Sequence, residues 1–341
     1  TIFIRESGIV LRGEGEQTRL IAMAEKQSPL ISVNGNGSPQ PTGQHVKITD
    51  KYVPTGSFSF NVTSTEGFKV GDDIIVLRPG TEAWVHDLKM DQIEARDGVK
   101  QWQPKEYDLE FQRTITKIEG NKVYIDNPIV LALDEQYGGG EIYKYTFPGR
   151  IRHVGIENMH FESTFINDTA EGHAWDAVHF NRIENGWVRN VSSKYFAYSC
   201  VNLGQQAKYI TVRDSKCLEA KSQITGGRRY SFNNDGQLNL VMNCETTEGR
   251  HDYVTGAKTL GPNVFYNCKS SRTHADIGPH HRWAVGTLFD NIVTDGEINV
   301  QDRGNWGTGH GWAGVTQVLW NCTAQRVALQ NPYVSGKNYC I

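Results

Sequence analysis

The chain of 341 residues sets 35 Lys and Arg against 38 Asp and Glu, a formal charge of -3, and carries 35 glycines with 10% aromatic residues. That balance excludes a general nucleic-acid binder, and no apolar run approaches the roughly 18 residues of a membrane-spanning helix. Abundant glycine and scarce runs of Ala, Leu, Glu and Lys point to many short strands joined by turns.

In chain order, Gly8 to Gly15 and Thr18 to Ala22 read as two strand-like runs around a glycine corner. From Gly43 the texture changes: Phe68 to Leu77, Phe111 to Ile118 and Lys122 to Asp126 alternate as antiparallel strands, with a hairpin signal at Gly120-Asn121. These predict a small antiparallel insertion over 43–147. Inside it, the polar excursion 79–110 carries Trp84, His86, Trp102 and Tyr107 and is expected to be a flexible cover over a binding cleft. No signal peptide is visible within the sequence, and its abrupt ends are those expected of a processed or trimmed form.

From Arg152 onward one phrase repeats: an apolar residue, any residue, Asn or Asp, then a compact residue. Its polar members are Asn158, Asn190, Asp214, Asn243, Asn267, Asn291 and Asn321, spaced 32, 24, 29, 24, 24 and 30 apart. A period with insertions is the mark of a coiled solenoid, one elongated domain of stacked coils with loops on some turns. Asn tolerates the left-handed backbone of tight corners and can bond to its counterpart on the next coil. The residue after it is Cys244, Cys268 and Cys322 in three coils, and Met159, Val191 and Ile292 in others, which makes the thiols core fillers. No CxxC pair exists among the six cysteines, against a zinc site; a Cys244–Cys268 bridge stays open.

This repeat, with its glycine-rich corners, resembles the right-handed parallel β-helix of the pectate-lyase-like superfamily over about 1–36 and 148–341. The resemblance implies an all-β fold, a right-handed parallel β-helix solenoid with a small antiparallel insertion. It also implies a secreted or periplasmic, monomeric protein acting on a polysaccharide. Lyases, hydrolases, epimerases and tailspikes share this architecture, so the reaction has to be read from the residues.

Polar groups crowd between 226 and 312. Counted from the ladder, Asp252 and Asp276 each lie nine residues past an Asn and should stack about 5 Å apart on adjacent coils. Arg229, Lys258 and Arg282 each lie fifteen past it and should form a basic stripe. β-Elimination at a uronate needs a base, a neutraliser of the carboxylate and an acid for the leaving oxygen. Lys258, His251, His281 and Tyr230 are the candidate bases and acids, and Arg229 and Arg282 the neutralisers. Asp252 and Asp276 would orient the histidines, or hold calcium if a metal does the neutralising; no other cofactor is implied. Arg228, Arg250, His274, His280, Trp283, Arg303, Trp306 and His310 complete a groove for an anionic polysaccharide, with Trp283, Trp306 and Trp312 either sugar platforms or core. Two other readings use the same residues: a retaining hydrolase with Asp252 and Asp276 as its carboxylate pair, and a tailspike-like module that grips glycan without cleaving it.

Overall fold

The computed structural model describes all 341 residues, Thr1 to Ile341. It is a right-handed parallel β-helix. Nine short strands stack as one parallel sheet: Ile2–Ile4, Ile31–Asn34, Asp176–Asn181, Ser199–Leu203, Phe232–Asn234, Tyr253–Thr255, Asp276–Pro279, Glu297–Val300 and Arg326–Leu329. A second, fifteen-stranded sheet folds around the other faces of the coil.

The ladder residues form the corner of that second sheet. All seven have φ between 49° and 55°, the left-handed conformation that a side chain other than Asn, Asp or Gly adopts at a cost. Their side chains bond from coil to coil: Asn190 donates to Asn158 at 3.0 Å, Asn243 to Asp214 at 3.2 Å, Asn267 to Asn243 at 2.8 Å and Asn291 to Asn267 at 3.0 Å.

Two residues before each corner sits an inward apolar residue. Ile156, Val188, Val212, Val241, Phe265, Phe289 and Leu319 are aligned in register and all buried. The first sheet faces them with Val178, Val201, Phe232, Tyr253, Ile277 and Ile298. Like stacks on like because each coil repeats the last, so Phe265 lies on Phe289 with centroids 5.3 Å apart. All six thiols are free; Cys200, Cys217, Cys244 and Cys268 are buried, and Cys340 is exposed.

After Asn34 the chain leaves the coil, and it rejoins it at Ile151. The intervening residues build a six-stranded antiparallel sheet, in the order Gln40–Lys47, Glu141–Thr146, Asp73–Arg78, Leu109–Glu119, Lys122–Ile125 and Ser59–Asn61. This sheet shares its core with the helix flank: Trp84, Trp102, Tyr107 and Phe111 form one buried cluster with Trp283, Val285, Trp312 and Val315. Buried Arg113 ties the two by donating to Pro128 O at 2.9 Å and to Gly261 O at 3.1 Å.

The excursion 79–110 is therefore packed down as a wall, in place of the flexible cover its polarity suggested. Thr81 caps the short helix Glu82–Asp87 through the Trp84 amide, which aims the Trp84 ring at Trp283, 5.1 Å away in an edge-to-face contact. Polar residues outnumber apolar ones along this segment, but the few aromatics all point into the seam.

Candidate active site

Four coils of the first sheet each enter on an aromatic ring. Trp175 and Tyr198 occupy equivalent places, since Asp176 pairs with Ser199, and so do Tyr230 and His251, since Phe232 pairs with Tyr253; between them the register shifts by one residue, because Val201 pairs with Phe232 and Tyr230 falls level with Ser199. Their rings form a continuous row, the first three stacked and His251 set edge-on to Tyr230. Centroids are 5.7 Å apart from Trp175 to Tyr198, 5.0 Å from Tyr198 to Tyr230 and 5.0 Å from Tyr230 to His251. The coil rise sets the spacing, and the first pair lies nearly parallel, at 7°.

The stack runs into a cluster of four histidines. His251 and His280 are 4.5 Å apart between centroids, His280 and His310 5.1 Å, and His281 and His310 4.9 Å. Nδ1 of His251 donates to the backbone oxygen of Asp276 at 2.8 Å, which assigns the proton to Nδ1 and leaves the lone pair on Nε2. That Nε2 has no protein partner, nor do Nδ1 of His280, His281 and His310. Burial holds the imidazoles neutral, with nearby guanidinium charge adding to it: His251 and His281 are pushed down to about 4, His310 to about 3, and His280 lower still. Burial acts oppositely on Tyr230 and raises its phenol. Arg250 and Arg303 lie close enough to influence both Tyr230 and His251 electrostatically, and Arg303 itself is buried against the Asp276 carboxylate.

Asp252 and Asp276 are neighbours in register, as Val254 pairs with Gly278, yet their side chains diverge. Asp252 is fully buried and accepts from Ser231 Oγ and Thr273 Oγ1, both at 2.7 Å, at the junction of the two sheets. Asp276 turns outward to Arg303 and, 3.6 Å away, to His251. One carboxyl closes the coil and the other meets a guanidinium, so the two form neither a glycosidase pair nor a calcium cradle.

The basic stripe is likewise split. Lys258 and Arg282 do lie on adjacent coils, the Lys258 amide donating to Arg282 O at 2.8 Å. Lys258 Nζ, however, caps Glu106 O at 2.5 Å, and Arg282 reaches Thr308. Arg229 belongs elsewhere, because Tyr230 aligns with His251 and brings Arg229 beside Arg250. It is buried and donates to the backbone oxygens of Ser222 and Glu248, which makes it a pin for two loops.

Several other nominated residues are occupied away from the cluster. Arg228 grips Glu171 with bonds of 2.7 and 3.0 Å, and His274 bonds Glu248 at 2.8 Å. Trp283 and Trp312 are buried in the seam, whereas Trp306 is half exposed, with the Arg303 guanidinium 5.7 Å from its ring. Arg250 donates to Gly226 O at the edge of the site.

Four residues that the sequence did not single out stand beside the aromatic stack: Asp176, Asn202, Asn233 and Asp235. Asn233 Nδ2 donates to Asn202 Oδ1 and Asp235 Oδ2, each at 3.0 Å, and Asn202 Nδ2 lies 3.4 Å from Asp176 Oδ2. Burial raises both carboxyls, that of Asp176 to about 7. Asp235 also lines a narrow polar cleft of about 160 Å³ where the insertion meets the coil, with Asp108, Glu110, Gln237 and Lys258. The signal for Asp176, Asn202 and Asn233 was a pentad led by an aromatic ring, Trp175 to His179, Tyr198 to Asn202 and Tyr230 to Asn234, with Asp235 just beyond the third.

No family model and no curated protein sequence matches the chain. Among solved structures, the tailspike protein gp49 from Pseudomonas phage LKA1 is similar at 13% identity and a TM-score of 0.40, over 93% of this chain and 59% of that one. The Gp54 tailspike of Acinetobacter baumannii bacteriophage AP22, solved with A. baumannii capsular saccharide, is similar at 10% identity and a TM-score of 0.40, over 99% and 67%. The catalytic domain of a GH87 alpha-1,3-glucanase in complex with nigerose follows at 10% identity and 0.24, over 89% and 96%. The chain thus spans about three fifths of the first tailspike. At such scores the likeness adds nothing to what the strand pairings show, and chemistry rests on the site itself.

Proposed function

We propose that the protein is a carbohydrate-active enzyme that cleaves a uronate-containing glycan by β-elimination on the outer face of the first sheet. The observation that carries the reading is the pairing of His251 with Tyr230. One ring is held neutral with a buried, unpartnered lone pair on Nε2, the other is held protonated, and their centroids lie 5.0 Å apart. Environments that push two titratable groups apart in this way assign a base and an acid. His251 Nε2 would take the proton next to the uronate carboxylate while Arg250 and Arg303 offset the charge that develops on it. Tyr230 would give its proton to the leaving glycosidic oxygen as the C–O bond breaks and the C=C bond forms. The buried, unpartnered Nδ1 atoms of His280, His281 and His310 would supply hydrogen-bonding positions for sugar hydroxyls that reach the cluster.

A second reading rests on Asp176. A carboxyl that keeps its proton up to about pH 7, linked through Asn202 and Asn233 to a second acid, Asp235, suits general-acid hydrolysis. The test separates them. Incubation with a panel of polyuronates and mixed uronate glycans should give products with the ultraviolet absorbance of an unsaturated uronate. His251→Gln and Tyr230→Phe should each lower turnover by roughly 100-fold or more while the melting temperature holds. New reducing ends without that absorbance, abolished in Asp176→Asn, would replace the lyase reading with the hydrolase. Binding without cleavage of any glycan would remove both.

A further inference from the structure

A second set of reactive side chains stands on the second sheet. His160 and Ser192 are paired in register on adjacent coils, and Glu162 lies two residues beyond His160 on the same face of its strand. Ser192 Oγ is 2.7 Å from His160 Nδ1, and Glu162 Oε2 is 3.5 Å from His160 Nε2. Arg19 donates to that same Glu162 oxygen at 2.7 Å and so holds the carboxylate in place. Nucleophile, base and orienting acid therefore follow one another along a line, the arrangement that activates a serine on unrelated folds.

Above Ser192 the first long strand bulges. Met159 pairs with Gly15 but His160 pairs with Arg19, so residues 16–18 arch out of the ladder. The bulge delivers Glu16, whose side chain is 75% exposed, onto the serine. Its carboxylate accepts from Ser192 Oγ at 2.6 Å and lies 3.2 Å from His160 Nδ1. A carboxylate bridging a serine hydroxyl and an imidazole occupies the place of an ester's product acid. These groups open on a cleft of about 460 Å³ in which Arg19, Lys194 and Lys216 supply positive charge, Asp214 a negative one, and Val191 and Leu218 are the two apolar residues.

We propose that Ser192, His160 and Glu162 form an esterase site, independent of the β-elimination reading, that removes short acyl groups from carboxylic esters of sugar hydroxyls. With Glu16 displaced by substrate, His160 keeps its proton on Nε2 toward Glu162 and takes the serine proton on Nδ1. Ser192 Oγ bonds to the acyl carbon, and the sugar oxygen leaves with the proton from His160. Water then attacks the acyl-serine, its proton passing through His160 back to Ser192, and the acid is released. Lys194 and Lys216 line the same cleft, Lys216 3.5 Å from Glu245, and would offset the charge of the oxyanion. Two apolar residues and a polar rim limit the acyl group to about the size of acetate.

The intact chain is assayed with p-nitrophenyl acetate and with an O-acetylated polysaccharide, reading nitrophenolate and free acetate. Wild type should release both above the buffer rate, and Ser192→Ala and His160→Gln should lose roughly 100-fold or more. Glu16→Gln should raise the rate, because it weakens the cap. Because substitutions in the ladder can disturb folding, wild type is also treated with a fluorophosphonate, whose fluoride the Ser192 oxygen would displace. One adduct, mapped to Ser192 and slowed by acetate, supports the site. No acetate release by wild type, full activity in Ser192→Ala, or labelling at another residue would overturn it.

Discussion

At Asp176 burial decides which proton a residue keeps. Its carboxyl is raised from 3.8 to about 7, so between those values the native chain holds a proton that the unfolded chain has lost. Stability contributed by this group is complete below pH 3.8 and is lost as pH rises through about 7. Asp176→Asn removes the titration, and its stability relative to wild type should increase steadily across that window in urea melts. The imidazoles of His251 and His281 run the other way, their pKa depressed from 6.5 to about 4. Their contribution is present above 6.5 and lost as pH falls through about 4, which makes the histidine cluster the acid-labile part of the site.

At the scale of one coil, the Asn ladder is the device that closes each turn. Asn267 donates to Asn243, accepts from Asn291 and holds φ at 51°. Asn267→Ala loses both bonds and strains the backbone, an expected cost of about 2–3 kcal/mol; Asn267→Gly keeps the backbone free and should cost about 1 kcal/mol less. Paired denaturant titrations measure the difference. This ladder could be read directly from the amino-acid order because its corner admits so few residue types. The aromatic stack was harder to see, with spacings of 23, 32 and 21 between Trp175, Tyr198, Tyr230 and His251. Loops of unequal length enter between these rings, and the same loops carried Arg229 out of line with Lys258. Counting did bring Asp252 beside Asp276. It could not tell that one side chain turns inward at the sheet junction, since that depends on Ser231 and Thr273 from neighbouring coils.

At the scale of the whole molecule, the insertion and the solenoid act as one body because their aromatics share a core. Gly311 lies at that seam, with φ of 57° and the Trp102 ring and Met90 sulfur where a Cβ would stand. Gly311→Ala should cost about 1–3 kcal/mol by overpacking. It should also lower turnover, since the neighbouring His310 belongs to the cluster, and near-ultraviolet circular dichroism of the tryptophans would register the loosened seam. Excursion 79–110 did not disclose this from its composition, because Trp84, Trp102 and Tyr107, which pack on one another, are sealed only by Trp283 and Trp312 from the far end of the chain.

The unbridged thiols inside the coil set how the protein meets its surroundings. A solenoid held by stacked side chains and corner bonds, with Cys200, Cys217, Cys244 and Cys268 sealed and reduced, needs no oxidant to mature and gives a reductant nothing to cut. Its melting temperature should be the same with and without dithiothreitol. A thiol-alkylating reagent should mark exposed Cys340 first, half-buried Cys322 more slowly, and the other four only after unfolding. Such a chain could be assembled in a reducing cytosol and work in an oxidising medium without changing a covalent bond.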